Sequence, residues 1–158
     1  MTTTILYPSD GDGIDSELEA SNAGQNWAAK QAVTNANNVQ PSQDHFRAGI
    51  HALTATNEWK NWQRSAVTFD AAEIGTGEQV DSGIFSLVSI ALTQDAFTDS
   101  HSLVSCALAS PTNVEVGDWD SFGTTKYAAD QAIGSMPADS STYIDWTLNA
   151  AGIAFAEA

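Results

Sequence analysis

Alternation of apolar and polar side chains is clearest at residues 63–70, where Ser65, Val67 and Phe69 fall on one face and the residues between them on the other. A period of two is typical of a strand with one packed and one wet face. We therefore expect 63–70 to be the strand around which the domain is organised. A polar connection leads from it to residues 80–92, which are apolar on both faces in their middle and predict an interior strand covered on both sides for part of its length.

Weaker patterns predict the other elements. Further short strands are expected at residues 3–7, 46–55, 102–108 and 143–148, with Ile144, Trp146 and Leu148 pointing inward. Helical signals predict a short helix or irregular excursion within 24–39, a helical turn over 118–123 ended by Gly123, and a helix over 150–156 with Asn149 as its N-cap. Loops or turns are expected at 57–61, 93–100 and 109–116.

Many short strands without a long amphipathic helix favour an all-β fold, an antiparallel β-sandwich or jelly roll with one or two short helices. The length of 158 residues suits one domain. We expect residues 1–158 to form it, with an irregular N-terminal part and edge strands over 1–62 and core strands over 63–158.

The charge balance narrows the choice of partners. Twenty Asp and Glu stand against five Lys and Arg, which gives a formal net charge of -15, and after Arg64 the only Lys or Arg is Lys126. Such a surface repels phosphate backbones and anionic lipid, so we expect no nucleic-acid partner and no membrane insertion. It suits high solubility, cation-rich surroundings or a basic protein partner. Only 16% of residues are charged, a composition common in extracellular and virion β-proteins.

Four segments resemble β-sandwich domains of the DNRLRE-like jelly-roll type, found in phage tail-fibre, virion and metagenomic surface proteins. Residues 64–70 are similar to the family's R-S-x-x-x-F-D strand, and 80–87 to its following I-x-S-A-x-L-S strand. Residues 118–125 are similar to its D-Y-x-x-x-G-S-T segment, and 143–153 to its Y-N-D-x-x-L-N-x-x-G segment. The resemblance implies a structural role in a virion or appendage, without catalysis.

The chain departs from this family at its C-terminal end. Further strands are expected after the L-N-x-x-G segment, whereas the sequence ends at Ala158. Either the N-terminal portion or a neighbouring subunit supplies the missing strand, or the chain continues beyond Ala158. An open sheet edge would favour pairing with another chain. The N-terminus lacks the basic and apolar regions of a secretory signal, so we expect a virion or extracellular location reached without a signal peptide.

Two groups of residues suggest ligand sites. The densest carboxylate group could hold Ca²⁺ through hard oxygen ligands, but its spacing does not match an EF-hand, which favours a solvated acidic turn; the group is Asp10, Asp12, Asp15, Glu17 and Glu19. Large aromatic side chains could form a platform for sugar stacking, or they could plug the open ends of the sandwich or pack in a subunit interface. We favour the packing interpretation; the residues are Trp59, Trp62, Trp119 and Tyr127.

Catalytic motifs are weaker. Asp118 and Asp120 suggest a glycosidase, in which two carboxylates act as acid and base. However, residues two apart do not straddle a glycosidic bond, and Asp118 is expected to be an N-cap residue. The histidines His45, His51 and His101 lack metal-ligand spacing, and Ser100 and Ser102 beside Asp99 lack a nucleophile elbow. Gly75 to Glu78 predicts a turn and not a phosphate-binding loop, and Cys106 in an apolar run is typical of a buried thiol.

These observations favour a non-enzymatic structural protein of a viral particle or extracellular appendage, such as a capsid decoration, head-fibre or tail-fibre module. Its expected partners are further copies of the chain or other subunits, and no cofactor, metal or catalytic residue is predicted. The alternative is a carbohydrate-binding or adhesin module with structural calcium, whose partners are surface glycans. A hydrolase that uses Asp118 and Asp120 is the third hypothesis.

Overall fold

A computed structural model of the chain describes residues 4, 6, 15–40, 49–52, 57–69, 71–75, 77–88, 100–110, 114–137 and 139–158. Strands dominate this part of the chain and the helices are short, which confirms the all-β class at this level. The chain divides into two compact units, here called unit 1 (Met1–Glu73 with Cys106–Gly123) and unit 2 (Ile74–Ser105 with Thr124–Ala158). The assignment of 1–158 to a single domain stays a prediction.

The described strands and helices follow in chain order. The strands are β1 (Asp15–Gln25), β2 (Asn38–Gln40), β3 (Gly49–Ala52), β4 (Trp59–Val67), β5 (Ile84–Val88), β6 (Ser100–His101), β7 (Val104–Cys106), β8 (Phe122–Lys126), β9 (Gln131–Ala132) and β10 (Tyr143–Thr147). The α-helices are α1 (Trp27–Gln31) and α2 (Ala150–Ala156), and short 3-10 helices cover Ala71–Ile74, Val116–Ser121 and Ile133–Ser135.

Unit 1 contains a four-stranded antiparallel sheet in the order β2-β1-β4-β3. The strand predicted at 63–70 is therefore confirmed as β4, and it lies between β1 and β3. Its bounds were wrong, because β4 begins at Trp59, inside the predicted loop 57–61, and ends at Val67. The tryptophans of 59–62 extend the strand, since large aromatic side chains are common in sheets that pack on a core.

The longest strand, β1, was missed by the sequence analysis. It runs antiparallel to β4, with Leu18 opposite Arg64, and its register shifts between Ser21 and Gln25. Gly24 lies in this irregular part with a φ of 74°, a left-handed conformation that glycine adopts without a steric penalty. Helix α1 follows directly and confirms the short helix predicted within 24–39.

The core of unit 1 lies against one face of this sheet. Its buried side chains are Leu18, Ala20, Ala36, Ala66, Val114 and Trp119. Leu18 and Ala20 alternate with Glu19 and Ser21, so the period of two was present in the sequence of β1. Burial of a side chain as large as Leu18 stabilises the fold by about 2 kcal/mol.

Unit 2 contains the antiparallel pair β5–β10, with Trp146 opposite Phe85 and Ile144 opposite Leu87. The inward orientation predicted for Ile144 and Trp146 is confirmed, because both are buried with Ala128 and Met136. The strand predicted over 80–92 appears as β5 (Ile84–Val88), residues 80–83 belong to no strand, and 89–92 lie outside the described residues. Ile84 is 63% exposed, so the cover expected on both sides does not reach this end of the strand.

The C-terminal helix was predicted correctly. Helix α2 covers Ala150–Ala156, and the side-chain oxygen of Asn149 accepts from the backbone N–H groups of Ala151 (2.9 Å) and Gly152 (3.1 Å). These bonds satisfy two of the donors that a helix start leaves open. Gly152 packs so closely that a Cβ there would lie 2.6 Å from the carbonyl oxygen of Tyr127. The helix therefore needs glycine at this position.

The remaining predictions are met in part. The strand at 46–55 appears as β3, and the rest of that range lies outside the described residues. The strand at 102–108 appears as β7 and is shorter than expected. The strand at 3–7 lies almost wholly outside the described residues, and Thr4 and Leu6, which are described, belong to no strand. Two further two-stranded sheets are present, β6–β9 and β7–β8, and an isolated antiparallel bridge joins Ala128 and Leu148. Of the loops expected at 93–100 and 109–116, residues 93–99 and 111–113 lie outside the described residues, while Ser100 belongs to β6 and Val116 begins a 3-10 helix.

Candidate functional site

Unit 1 gathers four tryptophans into one cluster, here called the tryptophan cluster. The ring of Trp27 lies 5.3 Å from that of Trp59 and 5.5 Å from that of Trp62, and Trp62 meets Trp119 edge-on at 5.4 Å between ring centres. Strand β4 positions Trp59 and Trp62, α1 positions Trp27, and the 3-10 helix Val116–Ser121 positions Trp119. The structure thus brings together three predicted aromatic residues and adds Trp27, which the sequence analysis did not single out.

Arg64 lies over this cluster. Its guanidinium carbon is 4.5 Å from the ring centre of Trp62, 4.4 Å from that of Trp119 and 5.4 Å from that of Phe122, and Nη1 donates to the carbonyl oxygen of Trp119 at 2.7 Å. Burial lowers the pKa of Arg64, and nearby Asp120 acts in the opposite direction. A planar cation held over aromatic faces is a strong structural contact.

These contacts limit what the tryptophans can bind. Trp119 is only 1% exposed and Arg64 covers it, so its ring face is not available to a sugar. Trp27, Trp59 and Trp62 are half-buried. Tyr127 belongs to unit 2, where its ring stacks on that of Phe155 at 4.9 Å. Packing therefore accounts for Trp119 and Arg64. Within the described cluster, a ligand could reach only the exposed part of the other three tryptophans.

Asp118 is a structural carboxylate. It is 2% exposed, and its oxygens accept from the N–H groups of Ala109 (3.0 Å) and Glu115 (2.8 Å) and from Ser121 Oγ (3.4 Å). The expectation that Asp118 is an N-cap is wrong, because the helical turn begins two residues earlier and Glu115 is its N-cap. The expected end at Gly123 is wrong as well, since Phe122 starts β8.

The pair that suggested a glycosidase is divided between two environments. Asp118 is enclosed by donors, whereas Asp120 is exposed. An acid and a base on a glycosidic bond must both face the substrate. Because Asp118 is buried, the two side chains do not face a substrate together.

Cys106 belongs to the same core and has the environment of an unreactive thiol. Burial, with a further contribution from Asp118, raises the pKa of Cys106 to about 11, and Arg64 acts in the opposite direction. A thiol with such a pKa carries almost no thiolate at neutral pH. This agrees with the structural interpretation of the apolar run around Cys106.

Lys30 is a buried cation that the sequence analysis missed. Its side chain is 0% exposed, and Nζ donates to the carbonyl oxygens of Ala20 (2.8 Å) and Lys60 (2.7 Å). Burial lowers the pKa of Lys30, and Glu19 partly offsets this effect. The two carbonyls belong to β1 and β4, so the ammonium group joins the strands close to the irregular register of β1. Its position after Trp27-Ala-Ala in a helical segment gave no signal of burial.

The acidic group and the histidines are only partly described. Asp10, Asp12 and His45 lie outside the described residues, and the side chains of Asp15, Glu17 and His51 are likewise not described. Asp15, Glu17 and Glu19 belong to β1, so this half of the predicted acidic turn is a strand. Among the described residues, no group of three or more His, Cys, Asp or Glu side chains could hold a metal ion.

The remaining motifs have structural contacts. Ser102 Oγ donates to Asp130 Oδ1 at 2.7 Å, and Lys126 Nζ lies 2.6 Å from Asp130 Oδ2. Ser100 and His101 form β6, and Asp99 is outside the described residues. Gly75 and Gly77 have φ values of 84° and 82°, as expected of a tight turn.

The outer face of the β5–β10 pair is a second candidate surface. Side chains alternate between the two faces, so the side away from Trp146 carries Ile84, Ser86, Val88, Tyr143, Asp145 and Thr147. All of them are exposed except Val88, which is half-buried. Tyr143 is 66% exposed. The two large exposed apolar side chains, Ile84 and Tyr143, lie at opposite ends of the face, with Ser86 and Asp145 between them.

Comparisons with protein-family models, with curated proteins and with solved structures give no match to this chain. The resemblance to DNRLRE-like jelly-roll domains therefore stays a prediction from the motifs. In the described residues, no helix has both the length and the apolar character needed to cross a membrane.

Proposed function

We propose that this protein is a non-enzymatic structural module of a viral particle or extracellular appendage, with a β-sandwich or jelly-roll fold. The proposal rests mainly on the exposure and the pairing of the β5–β10 strands in unit 2. One face packs on a core, the other leaves Ile84 and Tyr143 in water, and no third strand joins the pair among the described residues.

Two-stranded sheets are marginal by themselves, and a third strand or a packed partner stabilises them. The described part of unit 2 has the pairs β5–β10 and β6–β9, and the outer edge of β5 carries backbone groups that another chain can pair with. The outer edge of β10 is partly covered within the unit, because Ala128 forms a β-bridge with Leu148 and the side chain of Gln131 donates to the carbonyl oxygen of Asp145 at 2.9 Å. Contacts between subunits would complete these short sheets.

The sequence supports the same role. The motifs of residues 64–70, 80–87, 118–125 and 143–153 resemble virion and appendage domains, and the acidic, polar surface suits an extracellular or virion location. Further copies of the chain, or other subunits of the same particle, are the proposed partners. This proposal includes no cofactor and no catalytic step.

The mass of the protein in solution tests the proposal. We expect a discrete oligomer, because edges that pair between subunits close into a symmetric assembly. A chain that stays monomeric and shows no affinity for any particle would contradict it.

A carbohydrate-binding module is the second candidate, since Trp27, Trp59 and Trp62 keep part of their surface exposed in one cluster. Titration of a broad glycan panel, followed by tryptophan fluorescence, separates the two functions. A saturable shift that Trp59→Phe abolishes would favour sugar binding. No response from the wild type, together with a discrete oligomer, would favour the structural role.

A further inference from the structure

We propose that the outer face of the β5–β10 pair docks an extended, basic segment of a partner protein. This face is defined by Ile84, Ser86, Val88, Tyr143, Asp145 and Thr147. The inference rests on the proposed structural function and deepens it, because it names the chemistry of one partner and the surface that this partner contacts.

The order of side chains on the face determines which side-chain pattern the partner segment needs. Tyr143 lies at one end and Asp145 in the middle, and Ile84 pairs with Thr147 at the other end. The face therefore runs from an apolar side chain through a carboxylate to a second apolar side chain, each about 7 Å apart along the strand. An extended segment with the pattern apolar-x-Lys-x-apolar, in which x faces water, presents matching side chains at the same spacing.

The carboxylate of Asp145 makes this face negatively charged. Ser86 Oγ donates to Asp145 Oδ1 at 2.7 Å, which fixes the carboxylate on the exposed face. The sequence of unit 2 contains eight Asp and Glu against one Lys, and this Lys126 is 2.6 Å from Asp130. A cation supplied from outside the unit would therefore complement the negative charge of the face.

A second copy of this chain fits the face less well. Two identical faces would bring Asp145 close to a carboxylate of equal sign, which costs free energy in an interface. The strands have five residues each, so the face is about 17 Å long and about 10 Å wide. This area is far below the roughly 800 Å² per partner of a stable protein dimer, but it accommodates a short strand-like segment.

The probe is a labelled peptide that repeats Val-Ser-Lys-Ser-Val, and the control peptide has Glu in place of Lys. Binding is followed by fluorescence anisotropy at low and high salt. We expect the Lys peptide to bind at least about tenfold more tightly than the Glu peptide, and to weaken as salt rises. Equal binding of the two peptides, or no binding of either, would overturn the proposal.

Variants locate the contact. Ile84→Ser combined with Tyr143→Ser should weaken the Lys peptide about tenfold. Val116→Ser removes an exposed apolar side chain from unit 1 and should leave binding unchanged. Thr147→Lys places a positive charge on the face and should weaken binding about fivefold, whereas Thr125→Lys adds the same charge at an exposed position on β8 and should weaken it less than about twofold.

Folding of every variant is checked by circular dichroism, and the two lysine variants keep the test decisive if the double serine variant fails to fold. Equal binding by Thr147→Lys and Thr125→Lys would overturn the proposal.

The oligomeric masses are compared as well. A mass that falls in the double serine variant would assign the face to a second copy and also overturn it. A monomeric wild type that binds the Lys peptide would instead contradict only the proposed assembly function.

Discussion

Arg64 and Trp119 contact each other in two ways at once. The guanidinium lies 4.4 Å from the ring centre of Trp119, and its Nη1 donates to the carbonyl oxygen of the same residue at 2.7 Å. The contact joins residue 64 of the central strand to a 3-10 helix 55 positions later. It therefore fixes one long-range connection of unit 1 through both the side chain and the backbone of Trp119.

Replacement of Arg64 tests this connection. Arg64→Lys keeps the charge but loses the planar group that stacks on Trp62 and Trp119, so we expect a loss of about 1–2 kcal/mol in the free energy of unfolding. Arg64→Ala also leaves the carbonyl of Trp119 without its donor and should cost about 2–4 kcal/mol. Urea denaturation measures both values. Equal stability of Arg64→Lys and the wild type would show that stacking contributes nothing.

Alanine variants of Asp118 and Asp120 test whether Asp118 has a structural role that Asp120 does not share. Asp118→Ala removes the acceptor of two backbone N–H groups and should destabilise the protein by about 2–4 kcal/mol. Asp120→Ala changes an exposed side chain and should cost less than about 1 kcal/mol. Similar values for the two variants, measured by thermal unfolding, would contradict the structural role of Asp118.

The buried Lys30 predicts a dependence of stability on pH. Its pKa is lower in the folded than in the unfolded state, so the unfolded chain binds more protons and stability rises as pH increases through the lowered pKa towards 10.5. Lys30→Met should be less stable than the wild type by about 2 kcal/mol at neutral pH, because two carbonyls lose their donor. The difference should widen at alkaline pH. Cys106 titrates in the same range but is present in both proteins, so it cancels in the comparison.

The control for this experiment is Lys60→Met, which removes an exposed lysine from β4. We expect its stability to stay close to that of the wild type at every pH. A difference between Lys30→Met and the wild type that does not change up to pH 10 would contradict the buried position of the ammonium group.

Cys106 should react slowly with thiol reagents. Because burial and Asp118 raise its pKa to about 11, its thiolate fraction at neutral pH is on the order of 10⁻⁴. The rate of alkylation in the folded protein should therefore still be rising at pH 10, while the unfolded protein reaches its plateau earlier. A plateau near pH 9 in the folded protein would place the thiol in water.

The elements that the sequence predicted well are those with local signals. Asn149 before an alanine-rich segment predicted α2 and its cap, and the alternation around Ile144 and Trp146 predicted the packed face of β10. These signals depend on residues close together in the chain, where capping and periodicity act.

The misses have a different origin. Strand β1 was passed over because its polar side chains resemble a loop, although Leu18 and Ala20 alternate with them. Ile84 was expected to be covered because apolar residues on both faces suggest an interior strand, whereas the structure leaves it exposed. The tryptophan cluster joins residues 27, 59, 62 and 119, and the burial of Lys30 depends on carbonyls of two other strands. Long-range contacts of this kind leave no spacing rule in the sequence.

The mass of the purified protein by light scattering, over a range of concentrations and with or without calcium, tests the central claim most directly. The structural role predicts one discrete oligomer whose mass is a multiple of 16.7 kDa and does not depend on calcium. A well-folded species of 16.7 kDa at every concentration would contradict assembly through open strand edges and would favour the carbohydrate-binding alternative.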